Sequence, residues 1–339
     1  MFQKTVVFSL LLVLAGLMPW SAAGEPAAGA APAQPAQRER SLSEWLLRMH
    51  EASRRRAYVG TLVVSSGNSM ASARVWHVCD GTQQIERVES LTGTPRSTFR
   101  RNDEVIIFSP QSRVAVSEKR ESLGLFPHLL KAPDADIEQY YSARREGLER
   151  VAGFDADVLQ LQPRDSLRFG YRIWSERKTG LVVRLQTLDP SGRVLEQVAF
   201  SELQLDVPVS MDKLQRMMGN TEGYTVHTPQ LIKTTPAAEG WKLSRPVSGF
   251  QPVSCYRRPM AEAASAVQWV FSDGLATVSL FIEPYEPRRH AQEGVLSMGA
   301  THTLLRRLDA EGGPWWLTVV GEVPAATLQA FAQGLARTR

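Results

Sequence analysis

The sequence predicts an α+β protein, mainly antiparallel β: a larger N-terminal sheet packed with helices, then a smaller C-terminal antiparallel sheet closed by a helix. Three observations carry this. From Ala57 onward apolar residues recur with a period of two over short runs. Turn sequences separate those runs, among them Asp80-Gly81, Thr92-Gly93-Thr94-Pro95 and Asp189-Pro190-Ser191-Gly192. Helical spacing is confined to stretches near residues 42–49, 211–218 and 325–336. Successive strands joined by such short turns pair antiparallel.

The chain opens on a targeting pattern. Lys4 supplies the positive start, Val6 to Met18 the apolar run, and Pro19 with Ser21-Ala22-Ala23 a break and a cleavage site after Ala23 or Gly24. That run is shorter than the ~20 residues of a membrane span, so residues 1–23 read as an export signal rather than an anchor. Leu17 follows Leu14-Ala15-Gly16 where a bacterial lipoprotein carries its modified Cys. Residues 24–40 are Ala/Pro-rich without a period and read as a flexible leader.

Ser41-x-x-Glu44 fits a capping box, and Leu42, Trp45, Leu46 and Met49 share one helical face. Strands are expected at 58–64, 73–79, 84–91, 97–101, 104–108 and 113–117, in a meander. The apolar cluster of residues 123–130 interrupts it, and residues 121–145 read as one or two short helices crossing the sheet or as a flap. Strands resume at Val158 to Gln162 and run through 171–200 to about Asp206. In that segment both faces carry apolar residues, so the sheet is expected to be covered on both sides or to curl. Met211 to Met218 suggests a helix.

Residues 219–240 have mixed polarity and no period, and are read as a linker between a first domain at 41–218 and a second at 241–339. In the second, hairpins are expected around Ser272-Asp273-Gly274 and Glu311-Gly312-Gly313-Pro314, giving about four strands, with a helix over 325–336 opened by Pro324. The 339 residues, 43% hydrophobic and 22% charged, suffice for two cores.

The net charge of +4 and pI near 9.2 suit an acidic partner or an anionic surface, while no Lys/Arg block is dense enough for nucleic acid. The six His include no i,i+4 pair, and His77 with Cys79 on one strand face lacks further ligands, so no metal site is expected. Gly67-Asn68-Ser69-Met70-Ala71 falls one residue short of a nucleophile elbow and reads as a turn. Asp134, Asp136 and Glu138 read as a solvated loop face or a helix N-terminus rather than a catalytic pair. No catalytic residue and no cofactor are expected. Cys79 and Cys255, in an oxidising compartment, are read as two separate buried thiols, with a bridge between them as the alternative.

Six collinear stretches carry a resemblance: "WLLRMHEASRRRAYVGTLVVSSG", "TPRSTFRRNDEVIIFSP", "QYYSARREGLERVAGFDADVLQLQPRD", "GYRIWSERKTGLVVRLQTLDPSGRVLEQVAFSELQLD", "GWKLSRPVSGFQPVSCYRRPM" and "VQWVFSDGLATVSLFIE". Together they resemble the RseB/MucB family of periplasmic sigma-factor regulatory proteins, with the Ala/Pro leader and the Trp-rich second domain closer to the MucB branch. The resemblance implies a half-open β-barrel with helices, similar to LolA and LolB, followed by a smaller domain that binds the anti-sigma factor. It implies a periplasmic location. It further implies that the protein binds the periplasmic part of a membrane-spanning MucA/RseA-like anti-sigma factor and protects it from proteolysis. Release on binding an acylated ligand, lipoprotein or lipopolysaccharide, would free the sigma factor, with alginate production among the outputs in MucB-type members.

On this reading Leu125, Phe126, Leu129 and Leu130 are candidate acyl-cavity or flap residues, and Arg257 and Arg258 are candidate anti-sigma-factor contacts. The mature chain is expected not to span a membrane, and a homo-oligomer is compatible with the reading. The competing expectation is a periplasmic lipid or lipoprotein carrier of LolA/LolB type, against which the second domain argues, since a carrier needs only the first. A hydrolase has no supporting constellation.

Overall fold

Ser41 caps helix α1 (Leu42–Arg55) reciprocally: its hydroxyl accepts the Glu44 amide at 3.2 Å, and the Glu44 carboxylate accepts the Ser41 amide at 2.7 Å. The computed structural model describes residues 40–119, 137–259, 265–290 and 292–338. Six strands follow α1 as the expected meander: β1 (Tyr58–Ser66), β2 (Ser69–Cys79), β3 (Gln84–Ser90), β4 (Ser97–Arg101), β5 (Glu104–Ser109) and β6 (Val114–Lys119). After the short α2 (Ile137–Tyr140) come β7 (Tyr141–Val151), β8 (Phe154–Pro163), β9 (Gly170–Glu176), β10 (Val182–Leu188) and β11 (Val194–Leu205). β11 returns to pair with β1, which joins the two meanders into one sheet with β6 towards one edge and β7 at the other.

One expectation changes here. Residues 121–145 read as one or two short helices or a flap; residues 120–136 lie outside the described residues, 137–140 form the short α2, and from Tyr141 the chain is strand β7 instead. β7 escaped the sequence pattern because it is an edge strand: Arg144, Arg145, Glu146, Glu149 and Arg150 interrupt any alternation. Charge on an edge prevents sheets from adding to one another.

Burial on both faces of β8–β10 follows from their near-continuous apolar runs. Leu159 and Ile173 pack with Leu42, Trp45, Leu46 and Met49 of α1, while their neighbours Val158 and Trp174 join a separate cluster with Tyr58, Val75 and Phe200. Helix α3 (Met211–Gly219), capped by Ser210, buries Leu214 and Met218 against Val78, Ile85, Phe99 and Phe108.

The 219–240 segment is not irregular throughout. β12 (Thr225–His227) lies parallel to β6, and β13 (Ile232–Lys233) antiparallel to β15 (Gln251–Pro259), so it adds a strand to each of two sheets. Such short pieces bond through the main chain and need no side-chain period to do so. The second sheet continues with β16 (Ser265–Ser272), β17 (Thr277–Pro284), β18 (Gly294–Met298), β19 (Thr301–Ala310) and β20 (Gly313–Gly321), in the order β13-β15-β16-β17-β20-β19-β18. Among the described residues this sheet has seven strands, where about four were expected. β18 is a fully exposed edge, and Pro252 and Pro259 within β15 disguise it as loop.

Helix α4 (Ala325–Gly334) lays Leu328, Phe331 and Ala332 on this sheet. It ends at Gly334, where a Cβ would stand 2.7 Å from the Arg245 carbonyl. Leu335 and Ala336, expected as the end of the helix, instead pair with Arg337 as β21 (Leu335–Arg337) against β14 (Trp241–Leu243).

Candidate partner-binding groove

The pleat of the second sheet divides its side chains into two sets. Cys255, Val267, Trp269, Val278, Leu280, Leu317 and Val319 belong to the core that α4 closes. The alternate positions, Tyr256, Gln268, Val270, Ser279, Phe281 and Val320, turn to the opposite face. They line a groove of about 310 Å³ whose other wall is Glu118 and Lys119, at the end of β6, with Leu231 from the connecting segment. Cross-strand register arranges the floor in two rows, Val270–Ser279–Val320 and Tyr256–Gln268–Phe281.

Arg258 joins the two walls. Its Nη2 stands 3.4 Å from the Glu118 carboxylate, and its Nη1 donates to the Gln268 side-chain carbonyl at 3.3 Å. Glu118 is buried, whereas the Arg258 side chain keeps 30% of its exposure. A charge at this depth, over a floor of isolated apolar side chains among amide and hydroxyl groups, suits an extended polypeptide better than a small polar substrate.

The two arginines singled out in the sequence are parted by the pleat. Arg258 lies in the groove, while Arg257 faces the other way and donates to Glu239 at 2.8 and 3.3 Å. Leu125, Phe126, Leu129 and Leu130 lie outside the described residues. Phe281, Val270 and Val320 were not singled out because their runs were read only as strands of hairpins, with no face assigned to each position. The signal that could have found them is an apolar residue at the polar-facing parity of β16, β17 and β20.

The remaining reactive groups are engaged structurally. His77 stacks on Tyr58 with ring centroids 4.8 Å apart, and its Nδ1 lies 2.8 Å from the Arg56 carbonyl. Among the described residues no three His, Cys, Asp or Glu side chains are placed to hold a metal ion. Cys79 and Cys255 are both free. Cys255 is buried as expected, but Cys79 is partly exposed, at the end of β2 in a shallow polar pocket with His50 and Arg54. Burial and the nearby Glu239 push the Cys255 thiol up to about 11, and burial raises Cys79 as well. No helix of the described residues is long and apolar enough to cross a membrane.

Two sheets, the second grooved on one face and closed on the other by a helix, make up the described fold, and comparison with known proteins gives it a family. The family model described as MucB/RseB N-terminal domain matches residues 41–218, and that described as MucB/RseB C-terminal domain matches residues 235–336. The chain belongs to the MucB/RseB family. It is 28% identical over 326 residues to the sigma factor AlgU regulatory protein MucB of Pseudomonas aeruginosa, covering 96% of this chain and 95% of that one. It is 24% identical over 343 residues to the sigma-E factor regulatory protein RseB of Escherichia coli K12, covering 98% of each. A structure of the Pseudomonas aeruginosa MucA/MucB complex superposes with a TM-score of 0.68 at 26% identity, covering 88% of this chain and 99% of that one. A structure of MucB in complex with MucA(peri) gives 0.67 at 27% identity, with the same coverage.

Proposed function

We propose that this protein is a periplasmic negative regulator that binds the periplasmic segment of a MucA/RseA-like anti-sigma factor and protects it from proteolysis. The observation that carries the reading is likeness over nearly the whole chain, both sheets included, to a MucB whose structure with MucA is known. On this reading the segment runs as an extended chain along the groove, its apolar side chains on Val270, Phe281 and Val320 and an acidic group near Arg258. Recognition of this kind needs shape complementarity over the floor and a charge pair at Arg258, and no reacting group, so the protein acts by binding rather than catalysis.

Release follows when an acylated envelope component, lipoprotein or lipopolysaccharide, is bound. Leu125, Phe126, Leu129 and Leu130 remain the candidates for that contact, in a segment that begins directly after Lys119 on the groove wall. A ligand can release the partner only through unequal affinity for the free and partner-bound forms.

The groove is tested with the full mature chain and the periplasmic segment of its anti-sigma factor. Phe281→Glu places a charge on the floor and is expected to weaken binding at least roughly tenfold, the cost of a charge set against an apolar contact. Circular dichroism checks that the variant is folded. Unchanged affinity in a folded Phe281→Glu protein removes the groove from the reading.

A further inference from the structure

A second junction between the sheets is built around a buried charge. The loop from β8 to β9 carries Arg168, whose side chain is wholly enclosed. Its Nε donates to Asp273 Oδ2 at 2.7 Å, its Nη2 to the Ser248 carbonyl at 2.6 Å, and its Nη1 to Asp165. The rings of Tyr140 and Phe250 flank the guanidinium, with centroids at 4.4 and 4.9 Å. Asp273, in the turn between β16 and β17, is equally enclosed. Its Oδ2 also accepts the Tyr141 hydroxyl at 3.1 Å, and its Oδ1 accepts the amides of Leu275 and Ala276 at 2.9 and 2.7 Å.

The surroundings are shaped to this pair. Gly249 has a φ of +79°, and a Cβ there would stand 2.1 Å from Arg168 Nη2, so a larger residue would displace the guanidinium. On either side the sheets exchange residues: Leu167 packs into the core under α4, and Leu275 packs into the core under α1. The Thr327 hydroxyl at the start of α4 donates to the Leu167 carbonyl at 2.7 Å.

An enclosed ion pair contributes little net stability compared with apolar residues of the same shape, but removal of one partner leaves an uncompensated buried charge. Each nitrogen of Arg168 has its own acceptor, and these lie on three separate segments of chain. Rotation of one sheet against the other therefore cannot weaken the cluster gradually, because it either keeps or breaks bonds that water cannot replace. We propose that Arg168 and Asp273 are the positioning residues of an interdomain latch that holds the two sheets in one orientation and, through Tyr140 and Tyr141, ties that orientation to the start of β7. The latch does not depend on which partner the groove takes.

Hydrogen–deuterium exchange and small-angle X-ray scattering on the full mature chain test it. Asp273→Asn keeps the size of the side chain but removes its charge. It is expected to raise exchange roughly tenfold, the effect of one charge-assisted hydrogen bond, in residues 164–169, 248–250 and 273–276 together. The centres of β9 and β20 should keep their protection, and the maximum dimension in solution should increase. A rise confined to 273–276, with unchanged scattering, would overturn the latch. If Asp273→Asn does not fold, Tyr141→Phe removes the hydroxyl that bonds Asp273 while leaving the charge pair intact, and is expected to raise exchange in the same three segments by a smaller factor; no change at 164–169 and 248–250 would again overturn it. The paired change Arg168→Met with Asp273→Leu separates positioning from packing. The melting temperature should recover in part, since the Leu275 and Ala276 amides and the Ser248 carbonyl lose their partners, while the scattering stays expanded; recovery of both in full would reduce the pair to core packing.

Discussion

Arg258 on β15 and Glu118 at the end of β6 face each other across the groove at 3.4 Å, so a charge pair links the second sheet to the first where the groove is lined from both sides. Arg257, one residue earlier, is turned to the opposite face and held by Glu239. The two neighbours therefore make opposite predictions. Arg258→Ala is expected to weaken binding of the anti-sigma segment by about 1.5–3 kcal/mol, the range for hydrogen bonds to charged groups. Arg257→Ala should change it by less than about 0.5 kcal/mol, as for surface substitutions away from such features. Calorimetric titration of both variants decides, and equal losses would contradict the assignment of faces.

Glu176 predicts the acid limb of stability. Burial alone would push its carboxyl up, but the Thr179 hydroxyl and the amides of Lys178 and Thr179 donate to it at 2.5, 3.0 and 2.6 Å and carry it below the ordinary range. A carboxyl depressed in the folded state adds stability above its unfolded pKa of about 4.3, and that stability is lost as pH falls through the folded value. Glu176→Gln should therefore lower the melting temperature at pH 7 and flatten its fall between pH 6 and pH 3. A fall as steep as in the parent protein would contradict this.

How much of this was legible follows from which forces write themselves into sequence. α1 could be read because Ser41, Glu44 and the stripe of Leu42, Trp45, Leu46 and Met49 are local signals. The hairpins of 171–200 could be read because Gly180 and Gly192 occupy φ of +90° and +84°, which few other residues tolerate. β7 and β18 were missed because an edge strand is selected for solubility or main-chain pairing rather than for a buried face. The groove was half legible: Arg258 was singled out, but its parity against Arg257 depends on strand β15, which Pro252 and Pro259 conceal. The Arg168–Asp273 contact joins residues 105 apart, and no local pattern encodes such a meeting.

The two thiols predict a labelling order. With its thiol pushed up to about 11, Cys255 is almost entirely protonated at pH 8, and it is buried beneath the second sheet. Cys79 is also raised but is partly exposed at the end of β2. Iodoacetamide at pH 8 should therefore modify Cys79 at least roughly tenfold faster than Cys255, since the thiolate is the reacting form. Mass spectrometry of the two tryptic peptides reads the order, and faster modification of Cys255 would contradict its burial.

Under the proposed function the protein shields an anti-sigma factor by binding it. This is tested by the rate at which a purified protease cleaves the periplasmic segment of the anti-sigma factor, with and without one equivalent of the mature protein. Cleavage is expected to slow at least roughly tenfold when the partner is saturated, and Phe281→Glu is expected to lose this protection while remaining folded. Cleavage at the same rate with and without the wild-type protein, under conditions where complex formation is verified independently, would contradict it.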